Sequence, residues 1–550
     1  MWSQTYDPFQ HAAISTVVAS LPVVLMLAGL AVAGLRAHTA ALLGLGVALL
    51  VAVLAYGMPV GLAFRAAGLG ALTGLVPIGW IILNLLYLYR LTELNGSFNV
   101  LRDVIGGLTE DRRLQLLLVA FAFGAFFEGA AGFGAPVAVT SAILMGLGFS
   151  PLAASGLSLL ANTAPVAFGA LGTPVVTLAK VHGYDVQTLS AMIGRQLPFF
   201  SLLVPFWLIW AFAGRRGMMG VWPAILVTGL SFGIAQFAVS NFMGPELVDV
   251  LASLFSMTCL LGFLRVWQPK VIWRGTAMGG DGAESAAAPV RAAPRHRPDE
   301  VLRAALPWVF LTIAVFVWGL SKKFLDGVYA PRIPIDGLHL MVQKVPPVVM
   351  SSTPEKAEFT FAILSATGTA ILLAAVLGGL NAGYSVKNLL EQYARNFWAC
   401  RWSLLTIVLM LALGTLTRFA GLDTTLGLAF VATGMLYPFF GTMMGWLGVA
   451  LTGSDTSSNV LFGGMQKVAA GQLGLPVHLM GAANSSGGVM GKMIDAQSIV
   501  VASTATRWEN HEGEILRFVF FHSVALASLV GLLVTLQAYV WPFSSLVLGP

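Results

Sequence analysis

The sequence predicts an all-α polytopic membrane protein, and three observations predict it. Charged residues make up 10% of the 550-residue chain and hydrophobic residues 57%. A soluble domain carries about 25% charged residues, so this chain could not cover a water-facing surface of its size. The apolar residues fall in runs long enough to cross a bilayer, which takes roughly 20 residues of helix. Two further stretches, 128–148 and 442–470, are apolar yet broken by Gly, Ser and Pro, and they read as re-entrant or discontinuous segments.

In chain order the candidate spans are 12–35, 38–56, 70–90, 114–127, 151–179, 198–213, 217–240, 246–265, 303–320, 357–380, 402–417, 423–441, 476–505 and 515–541. They amount to about 12–14 crossings, the two broken stretches not being counted as clean spans. The first run can span a bilayer, and residues 1–11 lack a basic n-region, so no cleaved signal peptide is expected.

The net charge of +6 does not point to nucleic acid, because the basic residues sit in loops between apolar spans, as the positive-inside rule requires. Residues 265–303 hold Arg265, Lys270, Arg274, Arg291, Arg295, Arg297 and Arg303 against four acids, in an Ala-, Gly- and Pro-rich low-complexity setting. They are expected to form a flexible cytoplasmic linker between an N-terminal half (1–264) and a C-terminal half (304–550). The 102–113 loop and the Arg215–Arg216 pair are placed on the same side. Arg36 follows the first span and puts the N-terminus outside. Residues 321–356 become the longest external loop, although Lys322, Lys323, Arg332 and Lys344 run against that placement.

Cys259 and Cys400 are the two cysteines, too few for a disulfide framework or a metal cluster. The chain has no P-loop, zinc-ligand spacing or nucleophile elbow, so neither an ATP-driven pump nor an enzyme is expected, and no cofactor or metal. The oligomeric state is not readable.

An internal repeat carries the functional reading. "EGAAGFGAP" places Glu128 in an apolar region beside small residues, and "TGSDTSSN" does the same with Asp455. Asn162 follows Glu128 by 34 positions, and Asn484 follows Asp455 by 29. In each half a glycine lies seven positions beyond the Asn, Gly169 and Gly491, and a proline shortly precedes the Asn-bearing segment, Pro151 and Pro476. The pairs are 128–148 with 161–175, and 451–470 with 482–498. Interrupted apolar segments at matching positions of two halves point to a secondary-transporter binding site. The plainer reading is that small residues let helices approach, and Gly70 and Gly74 fit it. Packing alone does not require a carboxylate, an amide and hydroxyls together.

A broken helix offers free N–H groups at a half-helix start, which suits a small anion. Ser454, Thr456, Ser457, Ser458 and Asn459 can add polar contacts from one pair, and Asn162, Thr163, Thr173, Asn484, Ser485, Ser486, Gln497 and Ser498 from the others. The expected ligand is small, anionic and hydroxylated. Glu128 and Asp455 would repel it if both were ionised, which makes proton coupling natural; a sodium ion held by the same carboxylates is the alternative. Asp455 could instead cap a helix. Lys492 and Asp495, one turn apart, can pair with each other, or Lys492 can meet the substrate. His522, in the last span, is a relay or packing candidate. Arg418 and Asp423 read as an interfacial pair, and Lys180, His182 and Arg195 as a solvated loop.

The stretches "FFEGAAGFGAPVAVTSAILMGLGFSPLAASG", "NTAPVAFGALGTP", "GRQLPFF", "GPELVDVLASL", "GWLGVALTGSDTSSNVLF" and "ANSSGGVMGKMIDAQSI" resemble the L-lactate permease family over almost the whole chain. The resemblance implies a multi-pass protein of the bacterial inner membrane that imports L-lactate, D-lactate and glycolate with protons. It also implies an ion-transporter-superfamily architecture, in which paired re-entrant hairpins form an inverted repeat. On the family's motifs Glu128 and Asp455 become the proton-coupling candidates, and Asn162, Thr163 and Asn484 fall in substrate-site segments. One departure is Asp495-Ala496-Gln497, where the family often has Ser-Pro-Gln.

Overall fold

The structure is a computed structural model that describes all residues except 32, 34, 107–108, 131, 133–134, 276–295, 348, 350, 509–510 and 549–550. Most of the expected linker, including Arg291 and Arg295, therefore lies outside the described residues. Among the described residues, eight helices are long and apolar enough to cross a membrane, or ten if each of two bent pairs counts as one span. Shorter apolar helices, Ala12–Met26, Pro136–Gly146 and Gly368–Asn381, lie between them. The chain is a multi-pass membrane protein. Large apolar side chains such as Leu54, Phe242 and Phe521 are exposed on the outer surface, where lipid can solvate them.

The described helices build two main apolar cores. One apolar core joins Ala12–Ala31, Ala37–Leu50, Val60–Thr73, the second half of Val386–Ala420 and Leu422–Phe430. Gly70 and Gly74 let the third of these meet the Val386–Ala420 helix at backbone distance, a Cβ on Gly74 falling 2.8 Å from the Val408 Cα. The other core holds most of the broken segments and their supports, while Leu461, Phe462 and Met465 of Asp455–Gln472 join the first. Within it the most apolar window of Arg112–Ala130 is 100% buried, so that span is wrapped by protein and shows lipid no face. Irregular backbone at membrane depth needs such a setting.

The broken segments form two hairpins and two interrupted helices. The first hairpin joins Arg112–Ala130 to Ala135–Gly146, and the first interrupted helix is Pro151–Ala161 followed by Gly169–His182. Ser150 caps its start, with Pro151 at the first helical position. The two parts of this helix bend by 65°. The second hairpin joins Tyr437–Thr452 to Asp455–Gln472 through Gly453, whose φ of +71° closes the first arm as a left-handed cap. The second interrupted helix is Val477–Gly491 followed by Ala496–Ala505.

Three sequence expectations are corrected. The break after Asn484 falls at residues 492–495, and "NSSGG" itself is helical. Its glycines serve close packing on the second hairpin: a Cβ on Gly487 would meet the Thr442 carbonyl, and one on Gly491 the Trp446 carbonyl. The span expected at 357–380 begins at Thr367, because Glu358–Thr360 is a strand paired with Arg332–Pro334. The span expected at 402–417 begins at Val386.

On one face Trp2–Ser3 pairs in parallel with Val342–Gln343, so the N-terminal residues and the 321–356 segment share a side. On another, Asp111 and Arg113 form a buried ion pair at 2.6 Å; Arg113 also donates to the Gly217 and Val271 carbonyls, and the Trp273 N–H donates to Asp111. The 102–113 loop, the Arg215–Arg216 region and the start of the linker thus meet on one face.

Candidate functional site

Glu128 and Gly132 of the first hairpin, the tip of the second and the first helix break converge on one cavity of about 70 Å³. A water needs roughly 10–15 Å³ by this measure, so the space suits several waters or one small organic anion. Glu128, Asp455 and Lys492 line it, with Ser454 and Thr456 from the second hairpin. Gly132, Val166, Gly169, Ala170, Pro174 and Gly453 complete the wall.

Glu128 stands near the end of its arm, buried, with Oε2 accepting from Asn162 Nδ2 at 3.1 Å. Its Oε1 occupies space that Gly169 leaves open, since a Cβ there would lie 2.6 Å away. The break that follows is left-handed over three residues, Ala170 (φ 45°), Leu171 (φ 53°) and Gly172 (φ 69°). For Ala and Leu that conformation costs about 1–2 kcal/mol each, strain of the kind stored at functional sites. Thr163 and Thr173 use their hydroxyls on the local carbonyls of Leu160 and Ala170, so they shape the break without lining the cavity.

Asp455 is the first residue of its arm. Ser454 is the cap, accepting from the Ser457 N–H at 3.2 Å, so the capping role considered for Asp455 belongs to its neighbour. Asp455 Oδ2 accepts from Ser485 Oγ at 2.5 Å and Asn459 Nδ2 at 3.2 Å, and its Oδ1 lies over Gly488 without a hydrogen-bond partner. Behind it runs a buried polar chain. Asn484 donates to Asn459 Oδ1 at 2.9 Å, Gln466 donates to Asn484 Oδ1 at 3.2 Å, and Tyr437 donates to Gln466 at 2.7 Å. Asn459 Nδ2 also reaches the Pro174 carbonyl at 3.3 Å, tying the two halves together.

Lys492 and Asp495 do pair, at 3.3 Å, and the lysine also borders the cavity, where its Nζ donates to the Gly453 carbonyl at 2.6 Å. The helix starts at Asp455 and near Pro174 point their positive ends toward the same space, a setting for an anion.

Other expected residues lie further out. Ser458 donates to the Gly445 carbonyl, and the Ser486 and Ser498 hydroxyls are buried without partners. The side chain of Gln497 lies outside the described residues. His522 accepts from Trp207 Nε1 at 3.0 Å and does not line the cavity, which fits the packing role. Arg418 pairs with Glu355 at 2.6 Å and not with Asp423. His182 is not in a solvated loop: it is buried in the last turn of Gly169–His182.

Asp249 carried no flag in the sequence. It sits in the first turn of Val248–Val266, 1% exposed, and neither carboxylate oxygen has a hydrogen-bond partner. A Cβ on Gly129, next to Glu128, would fall 2.7 Å from the Asp249 Cβ, so a third buried acid backs the cavity.

Known proteins share this chain's sequence over nearly its whole length. The family profile described as L-lactate permease matches residues 15–541. The glycolate permease GlcA of Escherichia coli K12 is 44% identical, with 98% of each chain covered. The L-lactate permease of the same strain is 42% identical, also over 98% of each chain. That of Bacillus subtilis 168 is 42% identical over 98% of this chain and 99% of its own. Among solved structures, the Alcanivorax borkumensis YdaH transporter aligns with a TM-score of 0.43 and 15% identity, covering 86% of this chain and 88% of that one. With a profile match spanning almost its full length and relatives this similar, the chain belongs to the L-lactate permease family.

Proposed function

We propose that the chain imports lactate, as the L- and D-forms, and glycolate across the bacterial inner membrane by proton symport. The observation that carries this reading is the single cavity in which Glu128 and Asp455, from two different hairpins, meet Lys492 and two helix starts. A 2-hydroxymonocarboxylate matches it in size and charge. Its carboxylate would face the helix starts and Lys492, and its hydroxyl the Ser454 and Thr456 groups. The names of the relatives, glycolate permease and L-lactate permease, support the substrate class.

The charge balance supports proton coupling. Glu128, Asp455, Asp495 and Asp249 are buried around one buried lysine. Two like charges 4 Å apart repel by about 4 kcal/mol at an effective dielectric of about 20, so a further anion enters only with compensation. A proton on one of the acids supplies it, and one proton moving with one monocarboxylate is electroneutral.

Uptake of labelled glycolate and lactate into proteoliposomes tests the reading. Accumulation should persist in sodium-free buffer and collapse with a protonophore. Accumulation that requires sodium and ignores the protonophore would replace protons with sodium as the coupling ion. Competition by L-lactate, D-lactate and glycolate ranks the substrates.

A further inference from the structure

Away from the cavity, one cation stands without a counter-charge. Arg195, expected in a solvated loop, lies half-buried in the turn between Val186–Ile193 and Leu197–Gly220. Its Nε donates to Asn241 Oδ1 at 3.0 Å and its Nη1 to the Leu546 carbonyl at 3.0 Å, so two arms of the guanidinium are fixed on neutral acceptors. Nη2 has no partner among the described residues, and no described carboxylate pairs with the group. A guanidinium keeps its charge in a protein, so the positive charge stays uncompensated.

Arg195 closes one end of a groove of about 310 Å³ between Leu197–Gly220 and Trp222–Phe242. Phe199, Leu202, Leu230, Ile234 and Phe237 wall it, and all of these but Leu202 are between 40% and 56% exposed. From Phe237 to Leu230 the groove follows about 10 Å of helix.

The ends of Leu197–Gly220 fix the depth of the groove in the membrane. From Leu197 to Ala213 the helix rises about 24 Å at 1.5 Å per residue, so Arg195 and the Arg215–Arg216 pair, beyond its two ends, stand about one hydrocarbon thickness apart. Gln537 donates to the Arg195 carbonyl at 3.1 Å, and Tyr539 and Trp541 follow it, exposed, as aromatic residues do at a membrane surface. The groove thus runs from headgroup level into the hydrocarbon. On their inner side the same two helices brace the first helix break: Ser201 Oγ donates to Gln236 Oε1 at 2.6 Å, and Gln236 Nε2 donates to the Ala164 carbonyl at 3.4 Å.

We propose that this groove binds a phospholipid of net negative charge, its phosphate on Arg195 and one acyl chain along Leu230–Phe237. The free Nη2 is a donor aimed at the headgroup level, and a charged donor to a phosphate oxygen makes a strong hydrogen bond. A zwitterionic lipid brings its own ammonium to neutralise that phosphate, whereas an anionic one leaves the charge for Arg195. The acyl chain fills the outer side of the helix pair whose inner side carries Ala164, so the lipid supports the break from behind.

Full-length wild type, Arg195→Gln and Ile234→Trp, purified in detergent, are compared by native mass spectrometry and thermal melting. The probes are phosphatidylglycerol, phosphatidylcholine with the same chains, and soluble glycerol phosphate. Wild type should hold phosphatidylglycerol at least about tenfold more tightly than phosphatidylcholine and melt at least about 2 °C higher with it. Arg195→Gln should lose that preference. Ile234→Trp, which fills the groove and keeps the guanidinium, should lose it as well. Equal affinity for both lipids in wild type, or a preference that survives either substitution, would overturn the site. Glycerol phosphate reproducing the phosphatidylglycerol shift would also overturn it, because the groove would then hold no chain. If Arg195→Gln does not fold, Ile234→Trp decides.

Discussion

Glu128 and Asp455 border one cavity from two different hairpins, yet they are held differently. Asp455 opens its helix, accepts from two side chains and backs onto a chain of amides that reaches Tyr437. Glu128 stands near the end of its arm and, among the described residues, accepts a side-chain hydrogen bond from Asn162. The two hairpins share a cavity and not a wiring. One broken hydrogen bond frees Glu128, whereas Asp455 is built into a network. The contrast makes Glu128 the proposed proton carrier and Asp455 the fixed wall of the cavity.

The largest expected effect breaks the contrast directly. Glu128→Gln should abolish proton-driven uptake, at least about tenfold, while counterflow exchange survives better. Asp455→Asn should lower folded yield in the membrane before it changes coupling; equal loss of coupling in both variants would erase the asymmetry. Next come the glycines on which the acids rest. Gly169→Ala crowds Glu128 Oε1 and Gly488→Ala crowds Asp455 Oδ1, each by about 1–3 kcal/mol, visible as lower melting temperature in detergent. Gly169→Ala should additionally cut uptake, because the movable acid is the one displaced. Asn162→Ala removes the described donor to Glu128, and Ser485→Ala removes one of two described side-chain donors to Asp455. Thermal stability should fall by about 1–3 kcal/mol in both, with transport lost mainly in the first. Smallest is Ala170→Gly, which relieves a left-handed residue and should stabilise the fold by up to about 1 kcal/mol. Unchanged melting would mean that the strain is carried by Leu171.

The sequence made the hairpins and both cavity acids legible, because a carboxylate among small residues inside an apolar run is too costly to keep unless it serves a site. Lys492 and Asp495 were legible as neighbours one turn apart. The second helix break was misplaced, since glycines that turn a chain and glycines that let helices touch look alike without a partner: Gly487 and Gly491 are of the second kind. Asp249 escaped notice because an acid in the first turn of a span reads as an ordinary favourable end charge. His182 reads as a solvated loop residue and Asp423 as the partner of Arg418, because 241 residues separate them along the chain; only the fold brings both against Gly464.

The pairing of Trp2–Ser3 with Val342–Gln343 sets an order of events during synthesis. At about 5–20 residues per second, the partner of Trp2 emerges roughly 20–70 s after it. For that interval the first residues have no strand to join, and the first helices must insert without the anchor that later holds them. A fusion at the N-terminus would therefore interfere at the last step of folding, after most spans are in place, and would show as a full-length protein with a loosened 329–361 segment.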